Sequence, residues 1–173
     1  MLLTPPSAVG SIAVQLAKNV IGAKRVVGIA GGPEKCDWVV KHLGADACVD
    51  YKAGGDLRAQ IKEALGGEFA TKYFENVGGN ILNTMFTLVA RHGKIAVCGM
   101  ISGYMGNKPD LSNFGQIISN RVQIEGESEK ASGGSNASTI MARWGGRHRS
   151  QQRARWLSQS SSLFMPSSNN DTS

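Results

Sequence analysis

The chain has 173 residues, of which 41% are hydrophobic, with a formal charge of +6 and three cysteines. This is enough apolar material for one buried core, but no run approaches the roughly 18 apolar residues that a membrane span needs. Cys36, Cys48 and Cys98 lie far apart with no CxxC pair, which points away from a zinc site or a disulfide framework and toward small buried side chains. No basic-then-apolar leader opens the chain, so a cytoplasmic protein is expected.

The first element is carried by LLTPPSAVGSIAVQLAK, residues 2–18. In a dinucleotide fingerprint, glycines turn the chain tightly after a strand and the next helix aims its free N–H groups at a pyrophosphate. The equivalent positions here are Thr4, Ser7 and Gly10, so only the last is glycine. Pro5 and Pro6 fix φ and donate no N–H, so the turn is not the usual glycine hinge. Ser7 is placed to cap a helix over residues 8–19, and on this stretch alone an ordinary capped helix is the simpler reading.

Next comes RVVGIA, residues 25–30, a β-branched strand. GGPEKCDWVVKHLG, residues 31–44, reads as a loop and helix, with Pro33 suited to the first turn and Gly44 to the C-cap. DACVDY (46–51) is a short strand and DLRAQIKEALG (56–66) a helix ending on glycine. TKYFENVGG (71–79) is a strand running into a turn, NILNTMFTLVA (80–90) a helix and GKIAVCGM (93–100) a strand. LSNFGQIISN (111–120) is a helix and RVQIEG (121–126) the last strand. Strands alternating with helices predict an α/β fold, a Rossmann-type doubly wound parallel sheet over residues 1–130. Ligands bind such sheets at the carboxyl ends of the strands, which puts loops 30–35, 50–52, 75–79 and 98–104 on one rim. Residues 131–173 are serine-rich and carry five arginines against the single acid Asp171. They read as a disordered basic tail, with nonspecific nucleic-acid contact a distant alternative.

An NAD-binding unit expects an acid at the end of its second strand, about 20 residues past the last glycine. That position falls near Ala30 and Gly31, where there is none. Gly31 and Gly32 leave space, and Lys35 stands one turn into the next helix. A cation beside an empty pocket favours a 2′-phosphate, hence NADP(H), although Glu34 next door could serve as the acid.

Four segments, AVGSIAVQLAK, VVGIAGGPEKCDW, YFENVGG and CGMISGY, occur in this order. Together they resemble the zinc-independent medium-chain dehydrogenase/reductases, in the branch of NADPH-dependent alkenal or double-bond reductases that includes prostaglandin and curcumin reductases. The resemblance spans about residues 2–128. It implies a metal-free domain that binds NADP(H) and delivers hydride to the β-carbon of an α,β-unsaturated ketone or aldehyde. It further implies that the amides of Ser7, Ala8, Val9 and Gly10 meet the pyrophosphate, that Lys35 and Tyr51 bracket the 2′-phosphate, and that Asn76 bonds near the nicotinamide-side ribose. Cys98, Gly99, Met100, Ile101, Ser102, Gly103 and Tyr104 would line the nicotinamide. Tyr104 would be the catalytic residue, hydrogen-bonding the substrate oxygen or supplying a proton, a role that suits a phenol with an ordinary pKa of about 10.

Departures from the family pattern accompany the matches. Thr4 and Ser7 stand where the family has glycine, and Met105 where it usually has asparagine. The family's upstream GroES-like catalytic domain has no counterpart here, so the sequence is expected to be a truncated reductase fragment, its tail like a shifted frame or retained intron. The central first strand would then be only residues 1–4, giving a marginal domain that forms a homodimer through exposed strands or pairs with a full-length homologue. The alternative function is a catalytically inactive fragment that at most binds NADP(H).

Overall fold

The computed structural model describes residues 1–3, 8–100, 102 and 111–126. Its six strands are β1 (Leu2–Leu3), β2 (Val27–Ala30), β3 (Ala47–Asp50), β4 (Ala70–Glu75), β5 (Val89–Val97) and β6 (Gln123–Gly126). They form one sheet in the order β3-β2-β1-β4-β5-β6, and every pairing is parallel. This is the doubly wound Rossmann order that the alternation of elements predicts. β1 is central: Leu2 and Leu3 pair with Val27 and Gly28 on one side and with Tyr73 and Phe74 on the other. The Met1 carbonyl extends that ladder by accepting from the Val27 N–H at 2.9 Å.

Period-2 alternation assigns neighbouring strand residues to opposite faces. Val26, Phe74 and Ala96 face one apolar layer, built on α1 (Ala8–Leu16) and α2 (Pro33–Lys41). Val27, Tyr73 and Ile95 face the other, built on α3 (Leu57–Ala64) and α4 (Gly79–Phe86). With helices on both faces, all four residues of β2 are buried, the pattern of a parallel sheet rather than a half-exposed one.

Several boundaries differ from the sequence expectation. The first helix does not run regularly to residue 19: α1 ends at Leu16 and Ala17–Ile21 form a π-helical turn closed by Gly22. α4 stops at Phe86, where the Leu88 N–H bonds back to the Met85 carbonyl, and β5 begins at Val89 instead of residue 93. The apolar run FTLV continues the helical pattern straight into the strand, so periodicity alone could not separate them. β5 then jogs. Ala70 pairs with Val89 but Lys72 with Lys94, and His92 in between takes φ 60° while its N–H donates to the Asn120 carbonyl. The helix expected over 111–120 is only α5 (Gln116–Ser119). The cysteines are half-buried rather than buried. The tail expected to be disordered lies outside the described residues.

Candidate functional site

The carboxyl ends of β2 to β5 converge on one rim, and each loop there is held by a specific contact. Ala30 pairs with Asp50 across β2 and β3, and the Tyr51 N–H continues the ladder to the Ala30 carbonyl at 3.0 Å. This carries Tyr51 and Lys52 over Gly31. A Cβ on Gly31 would lie 2.9 Å from the Tyr51 ring and hydroxyl and 3.0 Å from Lys52 Cε, so only glycine lets both side chains lie so close. Asp50 Oδ1 accepts from the N–H groups of Gly32 at 2.7 Å and Lys52 at 2.9 Å. Lys35 is exposed on the first turn of α2, just beyond this loop.

A second corner lies between β4 and β5. Glu75 ends β4 with no exposed surface. Its carboxylate accepts from the Tyr73 hydroxyl and from the backbone N–H groups of Val77 and Gly78, the last at 2.9 Å. Burial pushes the Glu75 carboxyl above its ordinary range, against the opposing pull of the Tyr73 hydroxyl and the Gly78, Val77 and Asn76 amides. The same burial, with the Glu75 charge and hydrogen bond, drives the Tyr73 phenol well above its usual value. The Glu75 carbonyl also accepts from the Cys98 N–H at 2.8 Å, and the Val77 carbonyl from the Ser102 N–H at 2.8 Å. These bonds hold Cys98 and Ser102 against the 76–79 turn. A Cβ on Gly99 would meet Asn76 Oδ1 at 2.4 Å and the Asn76 carbonyl oxygen at 3.0 Å. Asn76 and Gly99 are therefore in intimate contact.

The candidates from sequence fall into three groups. Tyr51 belongs to the first corner with Gly31, and Lys35 stands beside it on α2. Asn76, Cys98, Gly99, Met100 and Ser102 are brought together at the second. Ala8, Val9 and Gly10 open α1, with Val9 half-buried and Gly10 buried. Ser7, Ile101, Gly103 and Tyr104 lie outside the described residues. Asp50, Lys52 and Glu75 were missed as site residues, although two of them flank Tyr51 and the third precedes Asn76 in the sequence. A carboxylate whose partners are backbone N–H groups and a buried phenol leaves no charge pattern to read. The contact between the Cys36 and Cys48 thiols, made across α2 and β3, was equally invisible in their spacing.

Of the described cavities, one lies away from the rim and the other reaches it at Asp50. One of about 410 Å³ sits among Met1, Arg25, Phe69 and Lys72, at the amino ends of the strands. Another of about 450 Å³ lies beside β3 and α3. The rim is an open shelf of small residues, cations and backbone amides, which fits a long dinucleotide lying across the strand ends.

The zinc-binding dehydrogenase family model matches residues 8–141. Bovine prostaglandin reductase 1 is 43% identical over 102 residues, 59% of this chain and 30% of that protein. The NADP⁺-dependent 2-alkenal reductase of Nicotiana tabacum is 38% identical over 120 residues, 69% of this chain and 34% of that protein. The crystal structure of CurA from Vibrio vulnificus aligns with a TM-score of 0.69 at 29% identity, over 91% of this chain and 45% of that one. The CurA complex with NADPH aligns at 0.66 and 27% identity with the same coverage. The chain thus spans about a third of the length of these curated relatives. Among the described residues no three His, Cys, Asp or Glu side chains gather as a metal site. No described helix is long and apolar enough to cross a membrane. Sheet order, rim and sequence agree: the chain is an oxidoreductase-family protein, a medium-chain dehydrogenase/reductase of the zinc-binding dehydrogenase family, in the branch of the NADPH-dependent alkenal, prostaglandin and curcumin reductases.

Proposed function

We propose that the rim binds NADP(H) and that this chain carries the cofactor side of a reduction of the C=C bond in α,β-unsaturated ketones or aldehydes. The observation that carries the reading is the first corner, where a glycine floor lies under Tyr51 and Lys52 with Lys35 next along the chain. Such a corner attracts a 2′-phosphate. The CurA complex with NADPH supports it.

In this reading the opening turn of α1, from Ala8 to Gly10, offers N–H groups to the pyrophosphate together with the Ser7 amide that precedes it in sequence, and Lys35 and Tyr51 bracket the 2′-phosphate. Asn76, wedged against Gly99, presents its amide near the nicotinamide-side ribose. Cys98, Gly99, Met100 and Ser102 line the nicotinamide in this reading, and Ile101, Gly103 and Tyr104 are assigned to the same stretch by sequence alone. The bound cofactor supplies a hydride to the substrate β-carbon. Tyr104 would donate a hydrogen bond or a proton to the oxygen of the enolate so formed, and a proton taken up from solvent at the α-carbon would complete the reduction.

Calorimetric titration with NADPH and NADH tests the cofactor reading. Micromolar binding selective for NADPH, and weakened by Lys35→Ala, is the expected outcome. A folded sample that gives no heat with either cofactor would overturn it. NADPH consumption in the presence of an enone then separates a working reductase from a chain that only binds nucleotide.

A further inference from the structure

A carboxylate stands in the corner where a nicotinamide dinucleotide would be discriminated, and its hydrogen-bonding is directed at the backbone. Asp50 ends β3 half-buried, in register with Ala30 at the end of β2. Its Oδ1 accepts from two N–H groups at once, Gly32 at 2.7 Å and Lys52 at 2.9 Å. Gly32 is the N-cap residue of α2, the helix that carries Lys35. Lys52 follows Tyr51, whose own N–H is fixed to the Ala30 carbonyl. One oxygen atom therefore ties the loop after β2 to the loop after β3.

The consequence is geometric. With both loops held, Lys52 lies with its Cε 3.0 Å from the point a Cβ on Gly31 would occupy, beside the Tyr51 hydroxyl at 2.9 Å from the same point. An acid at the end of the second strand, able to pair with a ribose 2′-hydroxyl, marks an NAD site, and β2 ends here on Ala30 without one. The neighbouring acid, Asp50 at the end of β3, is bonded to amides, and the side chain brought over the glycine floor is a cation. We propose that Asp50 is a positioning residue for cofactor specificity: by bridging Gly32 and Lys52 it sets the Lys52 ammonium, alongside Lys35, as a second cation for the 2′-phosphate of a nicotinamide dinucleotide. The inference rests on the NADP(H) reading above and deepens it.

The two cations and the bridge make separable predictions for binding. Lys52 is exposed, so Lys52→Ala leaves the fold intact while removing one charge-assisted contact to phosphate; NADPH affinity falls about tenfold and NADH affinity is unchanged. Asp50→Ala releases both amides and reduces the NADPH-to-NADH preference in the same direction. Asp50→Asn keeps an oxygen that accepts both N–H groups, so it retains the preference although it removes the charge. Full-length chain and the three variants are titrated calorimetrically with NADPH and with NADH, and folding is checked by circular dichroism. Loss of preference in Lys52→Ala, with retention in Asp50→Asn, supports the proposal. If the unsubstituted chain prefers NADPH but Lys52→Ala keeps the full preference, the inference is overturned and the cofactor reading stands. If Asp50→Asn loses the preference as Asp50→Ala does, the bridge is not what sets it and the positioning role is overturned. An unsubstituted chain with no preference for NADPH overturns both.

Discussion

Glu75 has no exposed surface, yet it is charged chemistry set into an apolar layer. Four donors surround it, the Tyr73 hydroxyl and the Asn76, Val77 and Gly78 amides, and removing their acceptor costs more than the bonds themselves contribute. Each buried group left unpaired costs about 1–3 kcal/mol, so Glu75→Ala is expected to lower the unfolding free energy by several kcal/mol in urea titration. Glu75→Gln costs less, because a tyrosine hydroxyl can turn to accept from the new amide while the remaining oxygen keeps the backbone N–H groups. The pH dependence has a definite sign. The folded carboxyl is raised above its unfolded value of about 4.3, so its contribution is fully present below that value and lost as pH rises through the folded one. Unfolding curves measured across this window should decline on the alkaline side for the native chain, and the decline should vanish in Glu75→Gln. Asp46 works in the opposite sense. Burial pulls its carboxyl upward, but the Lys18 ammonium at 2.8 Å and the Val26 N–H bring it below the ordinary aspartate range, and that contribution is lost as pH falls through the folded value. At this scale the sequence marked the ligand-facing candidates, Lys35, Tyr51 and Asn76, through motif and position. It did not mark Asp50 and Glu75, because their partners are N–H groups and one buried phenol that become neighbours only when the strands end side by side.

The elements themselves were legible wherever a single period ran between two turn residues. β2, α2, β3, α3 and β4 stand within about two residues of their sequence bounds, each flanked by glycine, proline or an aspartate cap such as Asp56, whose carboxylate accepts from the Ala59 N–H. The boundary between α4 and β5 was not, because helix and strand there share one uninterrupted apolar run. The loop pair at the second corner gives this scale its test. Asn76 and Gly99 lie so close that Gly99→Ala would press a methyl onto a backbone carbonyl as well as a side chain. The turn must shift, at a cost of about 1–3 kcal/mol for overpacking. Thermal melts should therefore show Gly99→Ala clearly destabilised, and an unchanged melting temperature would mean that Gly99 is not clamped to the 76–79 turn.

For the whole molecule, the parallel doubly wound sheet followed from the alternation of elements, and the central place of the first strand followed from that topology. Among the described residues it pairs through Leu2 and Leu3 with β2 on one side and β4 on the other. Anything that bridges the strand ends at the rim adds to the stability of such a sheet. A ligand that binds only the folded state adds RT ln(1 + [L]/Kd), about 2.7 kcal/mol at a hundredfold excess over Kd. NADPH is expected to raise the melting temperature by several degrees, NADH to do so only at much higher concentration, and identical shifts from both would contradict the cofactor assignment.

The contact between Cys36 and Cys48 gives the protein an internal clock for its own opening. Burial, with the Cys36 hydrogen bond adding to it, pushes the Cys48 thiol far above its ordinary value, and a thiol reacts with alkylating reagents only as its thiolate. While α2 lies on β3, the raised Cys48 thiol holds less thiolate at neutral pH than a free cysteine and reacts more slowly; when the helix lifts, it recovers the reactivity of a free cysteine. The rate of Cys48 alkylation, followed by mass spectrometry against reagent concentration, should therefore saturate at the rate at which this edge of the sheet opens. A rate that instead rose in simple proportion to reagent, at the speed of a free thiol, would mean that α2 does not keep the pair closed.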